Sequence, residues 1–141
     1  MADNRKTVEQ FVQAMAASDM EAQDRLLADD IVEDYPQSGE RIRGKQNRRG
    51  IIENYPGGQP QDAKAEGEAV MPEIKGAGDE FTVTSPITYP NGETWQYIGF
   101  VQLKDGKIAK IMSFFAAPFE APAWRAPYVE VDKSAAGARS R

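Results

Sequence analysis

The chain contains no cysteine and no histidine among its 141 residues. Without cysteine there are no disulfides, thiol nucleophiles or thiolate metal sites. Without histidine there is no Ser-His-Asp triad, no histidine general base and none of the usual zinc or iron ligand sets. Long apolar runs are missing as well. No stretch approaches the ~20 residues a membrane helix needs, and the polar opening Met1 to Lys6 leads into no signal-peptide core. Positive charge is in deficit, with 17 Lys and Arg against 22 Asp and Glu and a net charge of −5. That sign repels phosphate backbones. One basic cluster exists, Arg41, Arg43, Lys45, Arg48 and Arg49. It has no interleaved aromatics and reads as a solvated helix face. These absences predict a cytoplasmic protein with no metal, no nucleic-acid partner and no membrane contact.

What is present is ordinary for one globular domain, 40% hydrophobic and 28% charged. Residues 1–132 are expected to form that domain and residues 133–141 a frayed tail. Val8, Phe11, Val12, Met15 and Ala16 make one buried stripe of a helix over about Asn4 to Ala17. Thr7 and Gln10 have capping-box spacing, and Ser18-Asp19-Met20-Glu21 opens a second helix that ends near Leu27. Ala28-Asp29-Asp30 breaks it. Ile31 to Tyr35 alternates as a short strand, with Ile31, Glu33 and Tyr35 on one face and Val32 and Asp34 on the other. Pro36 to Gly39 is a turn or loop. A third helix runs from about Lys45 to Tyr55 and stops at the Pro and Gly that follow.

The remainder predicts strands at Ala63–Met71, Glu80–Tyr89, Thr94–Leu103 and Lys107–Ala116. Asn91-Gly92 and Lys104 to Lys107 supply hairpin turns. Helices followed by a run of strands give an α+β fold, three N-terminal helices on one face of a mostly antiparallel sheet, in the order α-α-β-α-β-β-β-β. The segment 118–131 carries Phe119, Trp124, Tyr128 and Val129, so it is expected to dock despite its three prolines.

Ala28-Asp29-Asp30-Ile31-Val32-Glu33-Asp34, then Arg41-Ile42-Arg43-Gly44, then Asp105-Gly106-Lys107-Ile108 follow the element order of a known family. With Phe11, Ser18-Asp19-Met20 and Leu26-Leu27 upstream, residues 4 to 118 resemble the SnoaL-like branch of the nuclear transport factor 2-like proteins. That resemblance implies a cystatin-like cone around a pocket. Family activities include ketosteroid isomerisation, polyketide cyclisation, dehydration and pure binding, and fold alone does not choose among them.

In the ketosteroid isomerases the acid matching Asp34 is a general base beside a carbonyl. Their helix tyrosine and second acid fall on Phe11 and Ile98, which leaves the base without oxyanion donors. Tyr55 is a candidate donor beside Asp34. The alignment implies a substrate lining of Phe11, Met15, Ile51, Ser85, Gln96, Ile98, Phe100, Ser113 and Phe115. It places Tyr89, Trp95, Tyr97, Met112 and Phe114 on the convex face, where the family commonly forms homodimers. A slip of one residue exchanges the two faces and brings Trp95 and Tyr97 inward. The expected ligand is a small hydrophobic molecule. The expected function is a cofactor-free isomerase, cyclase or hydratase acting on a hydrophobic carbonyl compound. The alternative is a non-catalytic binding or protein-interaction domain.

Overall fold

The structure, a computed structural model, describes residues 3–56 and 72–131. The strand expected at Ala63–Met71 and the tail at 133–141 lie outside the described residues.

Helix α1 spans Asn4–Ala16 and buries Val8, Phe11 and Ala14. Its cap is Asp3, whose carboxylate accepts the Lys6 N–H at 3.2 Å. The chain then reverses at Ser18, held at φ 54°. Because an N-cap needs an extended backbone, the cap of α2 (Met20–Leu26) falls one residue on, at Asp19, which accepts from Ala22 N at 3.0 Å.

Strand β1 (Leu27–Tyr35) starts where α2 ends, with an irregularity in its pairing between Leu27 and Val32 where a break was expected. Gly39, at φ 82°, turns the chain into β2 (Glu40–Arg43), which pairs antiparallel with β1. This strand was not anticipated. Helix α3 (Gly44–Glu53) follows directly.

Strands β3 (Glu73–Ala77), β4 (Glu80–Thr88), β5 (Thr94–Lys104) and β6 (Lys107–Ala116) complete the sheet. β3 shows little alternation. It is recruited by β4, with Ile74 opposite Val83, and Gly76 lies too close to the Phe81 backbone for any side chain. Asp105 and Gly106, at φ 53° and 77°, form the tight β5–β6 turn. At the other hairpin only Gly92 has positive φ, and Gly92 N closes on Tyr89 O at 2.9 Å.

The sheet order is β2-β1-β6-β5-β4-β3, antiparallel except for β1 with β6. The helices lie on its concave side, the α+β cone expected. One end is an apolar core in which Val8 and Phe11 meet Leu27, Ile31, Phe81, Val101, Leu103 and Ile108. The strand ends at the opposite end carry Tyr35, Ile87, Trp95 and Phe115.

The C-terminal segment, expected to dock on the body or on a partner, leaves its aromatic side chains exposed on this chain. Phe119, Trp124 and Tyr128 are 72, 74 and 83% exposed. Pro122 leads into a 3-10 turn, Ala123–Tyr128, and Arg125 lies over the Trp124 ring at 5.5 Å. Among the described residues no helix is long and apolar enough to cross a membrane.

Candidate functional site

Register decides which residues the cone encloses. Val83 pairs with Gly99 and Gly99 with Ser113, while Glu33 pairs with both Ile111 and Ile42. One face therefore holds Ser85, Ile87, Trp95, Tyr97, Ser113, Phe115, Glu33 and Tyr35. Gln96, Ile98 and Phe100 point outward, correcting their expected place in the lining. Phe100 is 46% exposed and meets Phe114 edge-on across the outer face. Trp95 and Tyr97 are correspondingly inward, not on the convex face. The phase taken from the resemblance was one residue out in β5, where apolar residues of both parities obscure the alternation. Met112 and Phe114 do lie outside, beside Ile98 and Phe100.

Asp34 is also outside. It sits directly opposite Arg41 in the β1–β2 ladder. Arg41 grips both its oxygens, Nε to Oδ1 at 2.7 Å and Nη2 to Oδ2 at 3.1 Å, and Lys110 approaches to 3.9 Å. The Arg41 hydrogen bond, more than any other cause, holds its carboxyl below the usual range. A base for carbon acids needs the reverse, a carboxylate raised by desolvation. The expectation that Asp34 is the acid or base of the pocket is corrected accordingly.

The carboxylate that faces inward belongs to Glu33. It is 7% exposed and Arg48 of α3 is 5% exposed. Arg48 Nε donates to Glu33 Oε1 at 3.3 Å, and its Nη1 donates to Gln23 Oε1 at 2.9 Å. Gln23 Nε2 in turn donates to Ala14 O at 3.3 Å. On the far side, Ser113 Oγ donates to Glu33 Oε2 at 3.3 Å and lies 2.9 Å from the Tyr97 hydroxyl. The Phe11 ring supports the Arg48 guanidinium at 5.1 Å. Burial pushes the Glu33 carboxyl up, and Arg48 and Ser113 oppose the shift. Burial also raises the Tyr35 and Tyr97 hydroxyls, and the Glu33 charge raises them further.

Around this cluster stands an aromatic mouth. Phe115 contacts Tyr35 at 5.5 Å and Tyr97 at 5.2 Å. Tyr89 packs against Trp95 at 5.2 Å and stacks on Tyr55 at 6.0 Å. Tyr89 thus belongs to the mouth, not the convex face, and Tyr55 sits at its rim beside Tyr89 rather than beside Asp34. Ser85 is partly buried and spends its hydroxyl on Pro86 O at 3.0 Å. Phe11 belongs to the sealed core and Met15 packs against it, so neither lines the mouth. Ile51, 41% exposed, lines an open cleft of about 690 Å³ along α3 with Tyr35, Ile42, Asn47, Asn54 and Tyr55. Tyr35 and Tyr55 are shared by cleft and mouth.

Glu33, Arg48 and Gln23 were not among the candidate site residues, and Tyr97 was placed inward only for the case of a one-residue slip. Strand parity already put Glu33 with Ile31 and Tyr35, and a glycine inside an apolar strand was the available signal for a special contact at position 99.

This architecture is that of the nuclear transport factor 2-like proteins. One of unknown function from Burkholderia xenovorans shares 33% identity over 92% of this chain and 94% of its own, with a TM-score of 0.74. A ketosteroid isomerase-like protein from Kribbella flavida shares 22% identity over 92% and 89%, with a TM-score of 0.76. The profile of the SnoaL-like domain matches residues 8–111, and the chain belongs to that family. No curated protein matches it.

Proposed function

We propose that the chain is a small-molecule-binding SnoaL-like domain whose ligand is a compact molecule with a flat apolar body, held in the aromatic mouth. One observation carries this reading. The inward residues Ile87, Trp95, Tyr97, Phe115 and Tyr35 remain partly exposed, whereas the inward residues at the other end are sealed. Concave aromatic surface above a few fixed polar groups is what small-molecule sites present. A thermal-shift screen with polycyclic aromatics, steroids and small lactones tests it. A hit should lose its stabilising effect in Trp95→Ala and keep it in Phe100→Ala. A screen without hits, or hits indifferent to Trp95→Ala, would overturn it.

A second reading is cofactor-free proton transfer on a carbonyl compound, by an isomerase, cyclase or hydratase. It is favoured by the buried, upward-shifted carboxyl of Glu33 on the inner face. In that case turnover of a bound compound disappears in Glu33→Gln while its binding persists. Turnover that survives the change excludes it.

We also infer a homodimer through the outer face of β5 and β6, where Ile98, Phe100, Met112 and Phe114 form an apolar patch. Light scattering should report a dimer that Phe100→Lys converts to monomer. A monomeric native chain is the contrary result.

A further inference from the structure

The outer face of the sheet is polarised across its width. Strand pairing sets Arg43, Val32, Lys110, Gln102 and Glu80 in one row from β2 to β4. The next row holds Arg41, Asp34, Met112, Phe100, Thr82 and Lys75. Phe114, Ile98, Thr84 and Glu73 follow in a third. On the β2-β1-β6 half, Arg41, Arg43 and Lys110 surround the single carboxylate of Asp34. On the β5-β4-β3 half, Glu73 pairs with Lys75 at 3.1 Å, and Glu80 adds a further carboxylate in an exposed position. Among the described residues of this face, positive charge is in surplus on one half and negative charge on the other. The apolar patch lies between them.

The order β2-β1-β6-β5-β4-β3 leaves three strands on each side of the β5–β6 boundary. A two-fold axis along that boundary stacks two copies face to face, with β6 over the partner's β5 and β1 over the partner's β4. The rows stay in step. Met112 meets the partner's Phe100, and Phe114 meets the partner's Ile98. The partner's Glu80 comes down over Val32, between Arg43 and Lys110. Stacked sheets stand ~10 Å apart, a gap that side chains from both faces fill. Arg41 and Lys75 are brought to the same edge, but each is already paired, with Asp34 and Glu73. An axis across the strands sets each strand over its own copy, so the basic half lies on the basic half. Like charges opposed in this way disfavour that arrangement.

We propose that a second copy docks with the two-fold axis along the β5–β6 boundary, and that Glu80 of each chain sits between Arg43 and Lys110 of the other. It rests on the homodimer inferred above and fixes its orientation.

Charge exchange tests it. Glu80→Lys and the double variant Arg43→Glu/Lys110→Glu are prepared, with melting curves to establish that they fold. Sedimentation of each at low salt should show dimers about tenfold weaker than the native ones, the scale of two exposed ion pairs turned repulsive. An equal mixture of the two, one isotopically labelled, should give more heterodimer than the statistical half in native mass spectrometry. Only that pairing restores opposite charges at both contacts. If the double variant does not fold, Glu80→Lys decides alone against Glu80→Gln. Its dimer should then be the weaker of the two, by a margin that shrinks as salt is added. Statistical mixing, or a Glu80→Lys dimer as tight as that of Glu80→Gln, overturns the orientation and leaves the homodimer standing. A monomeric native chain overturns both.

Discussion

The two ends of the cone bury side chains by different means. At the closed end Leu27, Ile31, Ile108 and Val8 are at most 1% exposed and have no polar side chain among them. Apolar burial there is non-directional, so many packings of the right volume would serve. At the open end Glu33, Arg48, Ser113 and Gln23 are nearly as buried, but each is fixed by a named hydrogen-bond partner. Such a cluster is a poor source of net stability and a good source of geometry, because desolvation offsets most of the attraction. The difference teaches that one end of the interior is held by non-directional apolar packing and the other by directional hydrogen bonds.

Removing one member of the wired cluster should have the largest effect. Glu33→Gln strands a buried guanidinium that cannot neutralise itself. It should cost about 3–5 kcal/mol in urea unfolding. Arg48→Met should cost less, because Glu33 can take up a proton. In that variant the folded state holds the Glu33 proton more strongly than the unfolded state. Its deficit relative to the native chain should therefore shrink as the pH falls. A deficit independent of pH would contradict the pairing.

At the closed end Leu27→Ala should cost about 2–5 kcal/mol, the range for a fully buried leucine. It should leave any ligand affinity of the mouth unchanged, as measured by calorimetry on the folded variant. A matching loss of affinity would mean that the two ends are not separate in function.

The smallest effect belongs to Asp34, on the outer face of the same strand. Arg41 lowers its folded pKa, so the pair contributes stability above the ordinary carboxylate range and loses it as the pH falls through the depressed folded value. Asp34→Asn should be slightly less stable than the native chain at neutral pH and equal to it in acid. Ligand binding should be unaffected. A large loss of affinity in this variant would restore Asp34 to the site.

Much of the fold was legible because its signals are local. The stripe of α1, the Asp19 cap region and the Asp105-Gly106 turn depend on neighbours a few residues away. β2 and β3 were not legible, since Glu40–Arg43 and Glu73–Ala77 are short, charged and held by pairing to better strands. Pairing of β2 with β1 is what sets Arg41 directly opposite Asp34, seven residues away. The phase of β5 was hidden by its own composition, with Trp95, Tyr97, Ile98, Phe100, Val101 and Leu103 offering apolar side chains of both parities.

The sequence by itself determined the excluded chemistries, the α+β order, the placement of Glu33 with Ile31 and Tyr35, and the turn at Asp105-Gly106. Each of these follows from composition or from contacts within a few residues. Only the tertiary structure decided which carboxylate faces the interior with which partner. Glu33 meets Arg48 from 15 residues away and Ser113 from 80. Such pairings arise from the register of the closed sheet and the seat of α3 upon it, and neither is encoded in any local pattern.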